Sequence, residues 1–503
     1  MTQLLNRGAR LPVLFFLAAL PRILGALFLP NAFGDAYVYI QEIGTLSTRI
    51  SSGSFRLRDL FGFWLPLYQL IAALLNVYVK NGFYSGKIVA ALFGGATCVL
   101  VYLVTKSLTK NEVAARLMFV LLALNPLHIF YSASAMTDVP HACFVLAALY
   151  FVLTENWIVA ASFAALAGCT RVESWMLIAL LPFIQFVKER RISVVALLIL
   201  FSPPLLWFFI SWQATGNWLE CFVQRQQYHD WLLRMNPAIA KFSLVNVSKD
   251  VATLLVSSDV AVLIAAFVAG WLFITRARNW MRHRNEPTGP DSIVKPLLFF
   301  FAFFALLVVA YLTHQQPIIF PRYGLILFAL GLPILAWTLL KIRTVSPRFA
   351  RAALIVTIVL CGIDTTVQCA VVVGTLNQYR TQRAVADYLR DHFDNKSPGK
   401  VFCDDGTVRV LSGVPPDRFI DSTNAPKDRE SFLRFLDEAG VDYLIVIETE
   451  RSTPFELFGA VRDGANIPDY DRVMGSRTRF IYTAIHVFRR SRNTSRMGKD
   501  NAY

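Results

Sequence analysis

The sequence predicts a mainly α-helical membrane protein: a polytopic transmembrane bundle of about eleven crossings, with interfacial helices in its first outer loop and a small C-terminal α/β domain. Three observations carry this. The 503 residues are 55% hydrophobic with a mean hydropathy of +0.48. Only 17% are charged. Apolar runs of membrane-crossing length recur from Leu11 to Val373 and then give way to a polar tail. The net charge of +15 does not indicate nucleic acid, because Lys and Arg cluster in short segments between apolar runs, as membrane topology requires. Cys98, Cys143, Cys169, Cys221, Cys361 and Cys369 lie in or beside apolar stretches and Cys403 in the tail, a pattern of neither a disulfide framework nor a zinc site.

The first run, Leu11 to Leu29, follows Arg7 and Arg10. Arg22 interrupts it and no small-x-small cleavage site follows, so it reads as a retained helix with a cytosolic N-terminus. Further crossings are expected at Ser85 to Val104, Val113 to Tyr131, His141 to Leu153, Trp157 to Cys169 and Ser174 to Val187. Others are expected at Ser193 to Trp212, Leu254 to Thr275, Pro296 to Thr313, Gly324 to Leu340 and Ala352 to Val373. The stretch Trp64 to Val79 is apolar but short and contains Pro66. Counted as a crossing, it would put Lys188 to Arg191, Arg276 to Arg284 and Lys341 to Arg351 outside; as an interfacial or re-entrant helix it puts all three inside. The second reading gathers Asp35, Asp138, the Thr170 to Glu173 turn, the Gln213 to Val251 loop, His314 to Tyr323 and the tail on one outer face.

The tail from 375 to 490 reads as a soluble α/β domain on the non-cytosolic side. Leu376, Tyr379, Val385, Tyr388, Leu389 and Phe393 recur at helical spacing, and Lys400 to Cys403 reads as a strand. Arg429 to Ala439 is an expected helix stopped by Gly440; Asp442 to Ile447 and Ile481 to Phe488 are expected strands. No glycine-rich phosphate loop occurs. Residues 491–503 form a basic flexible tail.

Chemistry-bearing residues stand beside the expected helix ends. Asp35 is followed by Tyr37 and Tyr39; Asp138 by Pro140 and His141. Arg171 and Glu173 share a turn, and Arg322 and Tyr323 follow His314. Taken singly, each has a plainer reading. Asp35 and Asp138 are ordinary helix caps, Arg171 and Glu173 a structural ion pair, Arg322 and Lys87 interface anchors and His141 a structural histidine.

Together they resemble the GT-C superfamily of integral membrane glycosyltransferases, most closely the branch of protein O-mannosyltransferases and lipid A aminoarabinose transferases. The resemblance rests on Asp35 with Tyr37 and Tyr39, Trp64-Leu-Pro66-Leu-Tyr68, Lys87, Asp138 between Ser134 and Pro140, Arg171-Val-Glu173 and Pro321-Arg322-Tyr323. It departs at Ala36, where some relatives carry a second acid, and in lacking a basic residue before Pro66. It implies a transmembrane catalytic domain over 1–374 that transfers a sugar from a polyprenyl-phosphate donor to a hydroxyl of a glycan, lipid or protein. Transfer would be on the non-cytosolic face of a bacterial inner membrane, with inversion. In that reading Asp35 is the base and Asp138 orients the acceptor or holds a cation, while Lys87, Arg171 and Arg322 meet the donor phosphate. Tyr37, Glu173, His314 and Tyr323 would line the substrate site. The resemblance makes no cofactor certain, and Asp138 with His141 keeps a divalent metal open. The alternatives are a flippase of lipid-linked sugar and an inactive scaffold.

Overall fold

Small polar caps decide where the apolar runs become helices. The computed structural model describes residues 10–31, 34–235, 243–282, 293–313, 315, 319–422, 425–448, 452–476 and 484–491. His314, the start of the expected Ile481 to Phe488 strand and the tail over 492–503 lie outside the described residues. The chain divides into two compact units. One comprises Met1–Ala32, Tyr39–His229 and Ile239–Val372; the other comprises Phe33–Val38, Asp230–Ala238 and Val373–Tyr503.

The helices begin with α1 (Arg10–Phe28), α2 (Asp35–Ser51), α3 (Leu67–Val79), α4 (Gly82–Thr109), α5 (Glu112–Ala123), α6 (Pro126–Ser132), α7 (Asp138–Leu153) and α8 (Trp157–Gly168). They continue with α9 (Leu177–Glu189), α10 (Val194–Thr215), α11 (Glu220–Met235), α12 (Leu244–Ser258), α13 (Val260–Arg282), α14 (Val294–Leu312), α15 (Arg322–Val345) and α16 (Pro347–His392). Asn81, Asn111, Asn125 and Asn156 cap α4, α5, α6 and α8, each side chain accepting a backbone N–H of the first turn. Among the described residues, α1, α4, α10, α14, α15 and α16 are long and apolar enough to cross a membrane. Up to eight spans result if each of two bent pairs counts as one. At 13 residues α3 is too short to cross alone.

Several segments depart from the expected elements. Asp35 is the first residue within a helix and not a cap before one, and Ala36, Tyr37, Ile40, Ile43 and Leu46 recur on the buried face of that helix. The Gln213 to Val251 loop contains α11 and the start of α12. Val113 to Tyr131 bends by 63° between α5 and α6, where Asn125 caps and Pro126 lacks an N–H. The expected Leu254 to Thr275 span bends by 86° at Asp259, whose φ of 64° and side-chain bond to Ala261 N end one helix and start the next. Finally, α16 continues through Gly374 without a break for 46 residues.

Within the first unit, one polar stripe of α16 fastens both bends. Asp364 Oδ2 accepts from Val260 N at 2.8 Å, opening α13. Gln368 donates to Val256 O at 2.8 Å and accepts from Asn125 Nδ2 at 2.9 Å. Both side chains are buried on a helix otherwise largely exposed, so these bonds are made in surroundings where an unmet polar group is costly. Gly324, early in α15, is required by close approach: a Cβ there would lie 2.1 Å from Ser257 Oγ. α7 is buried around most of its circumference from Asp138 to Leu149, as expected of a helix apolar on all sides.

The second unit carries a five-stranded sheet of order β2-β1-β3-β5-β4. Its strands are β1 (Lys400–Phe402), β2 (Phe419–Ile420), β3 (Val441–Ile447), β4 (Tyr470–Ser476) and β5 (Ile485–Arg490). β1 pairs parallel with β2 and β3, and β5 pairs antiparallel with β3 and β4. Helix α17 (Gly406–Leu411) follows β1, and α18 (Arg429–Glu438) precedes β3. Phe432 and Leu436 of α18 are buried, and Gly440 ends it with φ +67°.

Just past β1, Asp404 accepts from Ser422 N at 2.7 Å and Ser422 Oγ at 2.8 Å. Burial pushes its carboxyl up to about 6 against those bonds. A folded pKa above the unfolded value of about 3.9 contributes stability that is complete below about pH 4 and is lost as pH rises through 6. Asp404→Asn is therefore expected to flatten the pH dependence of thermal unfolding between about 4 and 6, with melting raised relative to wild type near pH 8. A variant with the wild-type slope would refute this linkage.

Candidate functional site

The backbone just past α8 places Arg171. Arg171 N donates to Ala167 O at 2.9 Å, closing the helix, and a 3-10 turn over Val172–Met176 follows. The guanidinium then bridges two acids. Nη1 donates to Asp138 Oδ1 at 2.7 Å; Nη2 and Nε donate to Glu173 Oε1 at 2.6 and 3.2 Å. Asp138 lies in the first turn of α7, where the helix dipole favours an acid. Its Oδ2 is buried without a hydrogen-bond partner among the described residues. His141, one turn on, shares a 2.7 Å hydrogen bond with Ser174 and locks α7 to the Val172–Met176 turn.

A second cation faces the same space. Arg322 opens α15, with its guanidinium 5.2 Å from the Phe320 ring and 5.4 Å from the Tyr323 ring. Arg171 lies 5.9 Å from the Tyr323 ring, so one phenol ring is near both guanidiniums. An arginine at a helix N-terminus opposes the helix dipole, while an anion arriving there would be favoured by both the cation and the dipole. Asp138, His141, Arg171, Glu173, Arg322 and Tyr323 line one pocket of about 630 Å3, part of it open solvent. Its other wall is apolar: Phe303, Leu306, Leu307 and Ala310 of α14 with Ile326 and Leu327 of α15.

Charge in the turn is strongly coupled. Burial alone would raise the Glu173 carboxyl, but the charge and hydrogen bonds of Arg171 outweigh it and hold the group down to about 2. Burial likewise disfavours the Arg171 cation, yet Glu173 and Asp138 together raise it above its ordinary value. Both groups are thus ionised at any physiological pH. Among the described residues no group of three or more His, Cys, Asp or Glu is arranged to hold a metal. Asp138 Oδ1 and His141 Nε2 are engaged by Arg171 and Ser174.

Lys87, also expected at the site, is not among the residues that line this pocket. Lys87 is fully buried on α4, where its ammonium donates to Leu29 O and sits 4.6 Å from the Phe83 ring. Asp35 and Tyr37 belong to the second unit; Asp35 is half-buried at the first residue of α2 and Tyr37 is buried. His314 lies outside the described residues. Two contributors escaped the sequence reading. Asp250 of α12 accepts from Tyr311 OH at 2.8 Å and Ile319 N at 3.1 Å, fixing the segment that leads to Arg322. Arg225 of α11 stacks 5.9 Å from the Phe63 ring and feels the charges of Glu173 and Arg171. Asp250 stands in a helix bounded by serines and carried no visible motif; Arg225 lay in a segment read as loop.

A multi-helix membrane protein with a small α/β sheet and a paired-charge pocket against an apolar wall is the class these features define. The fold recurs in solved structures. The crystal structure of ArnT from Cupriavidus metallidurans in the apo state matches with a TM-score of 0.51 at 12% identity, covering 96% of this chain and 98% of that one. The crystal structure of the same protein bound to undecaprenyl phosphate matches with a TM-score of 0.50 at 11% identity, covering 97% and 98%. The model of the dolichyl-phosphate-mannose-protein mannosyltransferase family matches residues 66–157, from the N-terminal side of α3 to the start of α8. No curated protein matches the chain.

Proposed function

We propose that this chain is a membrane glycosyltransferase that moves one sugar from a polyprenyl-phosphate carrier to a hydroxyl acceptor, with inversion, on the non-cytosolic face. The observation that carries the reading is the pocket in which Arg171 and Arg322 face a common space beside the apolar stripe of α14. A lipid phosphate has the same two-part chemistry. The match to the mannosyltransferase family over 66–157 and the likeness to a protein crystallised with undecaprenyl phosphate support it.

The reaction requires a base for the acceptor hydroxyl and cations where charge grows on the departing phosphate. Asp35 is the proposed base, and Arg171 and Arg322 the phosphate cations. Asp138 holds Arg171 in register, and the bond between His141 and Ser174 holds the turn. Lys87, engaged by Leu29 O and the Phe83 ring, anchors the end of α1 to α4. The basic segments between apolar runs support a cytosolic N-terminus and an outer polar tail, by the tendency of Lys and Arg to stay inside.

The test is incubation of the purified protein with radiolabelled polyprenyl-phosphate sugars and envelope extract. Wild type is expected to move label from one donor to an acceptor, and Arg322→Ala to slow this by about 10²–10³-fold. If no donor is consumed, the transferase reading fails and a flippase of lipid-linked sugars becomes the better account.

A further inference from the structure

Arg171 presents two edges to two acids of unequal standing. The Nη1 corner meets Asp138, whose side chain is 4% exposed. The Nε and Nη2 edge, whose parallel N–H groups suit two oxygens of a phosphate or carboxylate, is met by one oxygen of Glu173. Glu173 is 33% exposed and stands on a short 3-10 turn two residues from Arg171. A side-chain rotation can carry its carboxylate into water, whereas Asp138 has no such exit.

The charges point the same way. Arg171 and Arg322 against Asp138 and Glu173 sum to zero, so a phosphate entering the intact pocket would leave excess negative charge among groups shielded from water. Expelling Glu173 restores the balance. A glycosylated carrier is a phosphodiester with one negative charge, and the carrier left after transfer is a monoester with up to two. The spent carrier therefore grips two arginines more tightly than the donor does, and a carboxylate tethered beside Arg171 competes with it.

Resting on the polyprenyl-phosphate reading of this pocket, we propose that Glu173 is a resident anion: it occupies the phosphate-binding edge of Arg171 at rest, yields to the donor, and returns to displace the spent carrier. It is a specificity and release residue; a lipid without phosphate has nothing with which to displace it.

The experiment measures binding of undecaprenyl phosphate to the full-length protein in nanodiscs of zwitterionic lipid, comparing wild type with Glu173→Gln. Removing a charged hydrogen-bonding competitor is expected to tighten binding roughly tenfold. Glu173→Ala, which also removes the carboxylate, makes the same comparison if the glutamine variant does not fold. Equal affinities in wild type and variant would overturn the resident-anion role while leaving the pocket reading intact. Weaker binding by the variant would also overturn it, making Glu173 a residue that positions Arg171. If neither protein binds undecaprenyl phosphate, the pocket reading itself fails.

Discussion

Arg171→Ala is expected to abolish sugar transfer and to destabilise the protein by about 3–5 kcal/mol. Among the described residues Arg171 is the ion-pair partner of a carboxylate that is 4% exposed, and the other oxygen of Asp138 already lacks a hydrogen bond. Removing the guanidinium leaves a buried charge with neither oxygen satisfied. Arg171→Lys keeps a cation, yet one ammonium cannot reproduce the fork that reaches Asp138 and Glu173 at once. It should recover part of the stability and little of the turnover. Pairing Arg171→Ala with Asp138→Asn should restore stability without activity, the signature of coupling between neighbours. Thermal unfolding and donor consumption read the two effects separately. Wild-type turnover in Arg171→Ala would remove this residue from the chemistry.

Asp35→Asn is expected to lower turnover by about 10²–10⁴-fold, the range for loss of a positioned general base, with donor binding unchanged. The substitution keeps shape and hydrogen-bonding capacity, and it exchanges the acid in the first turn of α2 for a neutral group still able to cap. Single-turnover measurement with saturating donor isolates the chemical step from binding. Intact turnover in a folded Asp35→Asn protein would move the base elsewhere and leave Asp35 as a helix-start residue.

The fold class was legible because hydropathy records where water is excluded, and the bilayer leaves the backbone little choice but helix. Asp138, His141, Arg171, Glu173, Arg322 and Tyr323 were legible as chemistry-bearing residues because polar groups stand out at the ends of apolar runs, and the structure brings these six around one pocket. What hydropathy cannot show is where a run breaks. Asp259 and Asn125 bend two runs by 86° and 63°, and both bends are fastened by Asp364 and Gln368, more than a hundred residues away from one or both partners. Such pairings have no local periodicity. Lys87 shows the opposite difficulty: its place near a helix start read as a phosphate cation or an interface anchor, while the carbonyl of Leu29 and the Phe83 ring that engage it are partners a linear motif does not encode. Arg225 was hidden because its helix is polar overall and short of apolar repeats.

The stripe of Phe303, Leu306, Leu307 and Ala310 along α14 bears on how often an encounter succeeds. Between Phe303 and Ala310 it rises about 10 Å, and near its far end Val309 and Leu312 are exposed. A carrier that uses this wall is searched for in two dimensions, by lateral diffusion within a leaflet, and its local concentration is set by membrane dilution instead of bulk volume. With opposite charges balanced at the polar end of the groove, long-range attraction contributes little to arrival. Capture should accordingly be nearly indifferent to ionic strength and sensitive to how much competing carrier shares the bilayer.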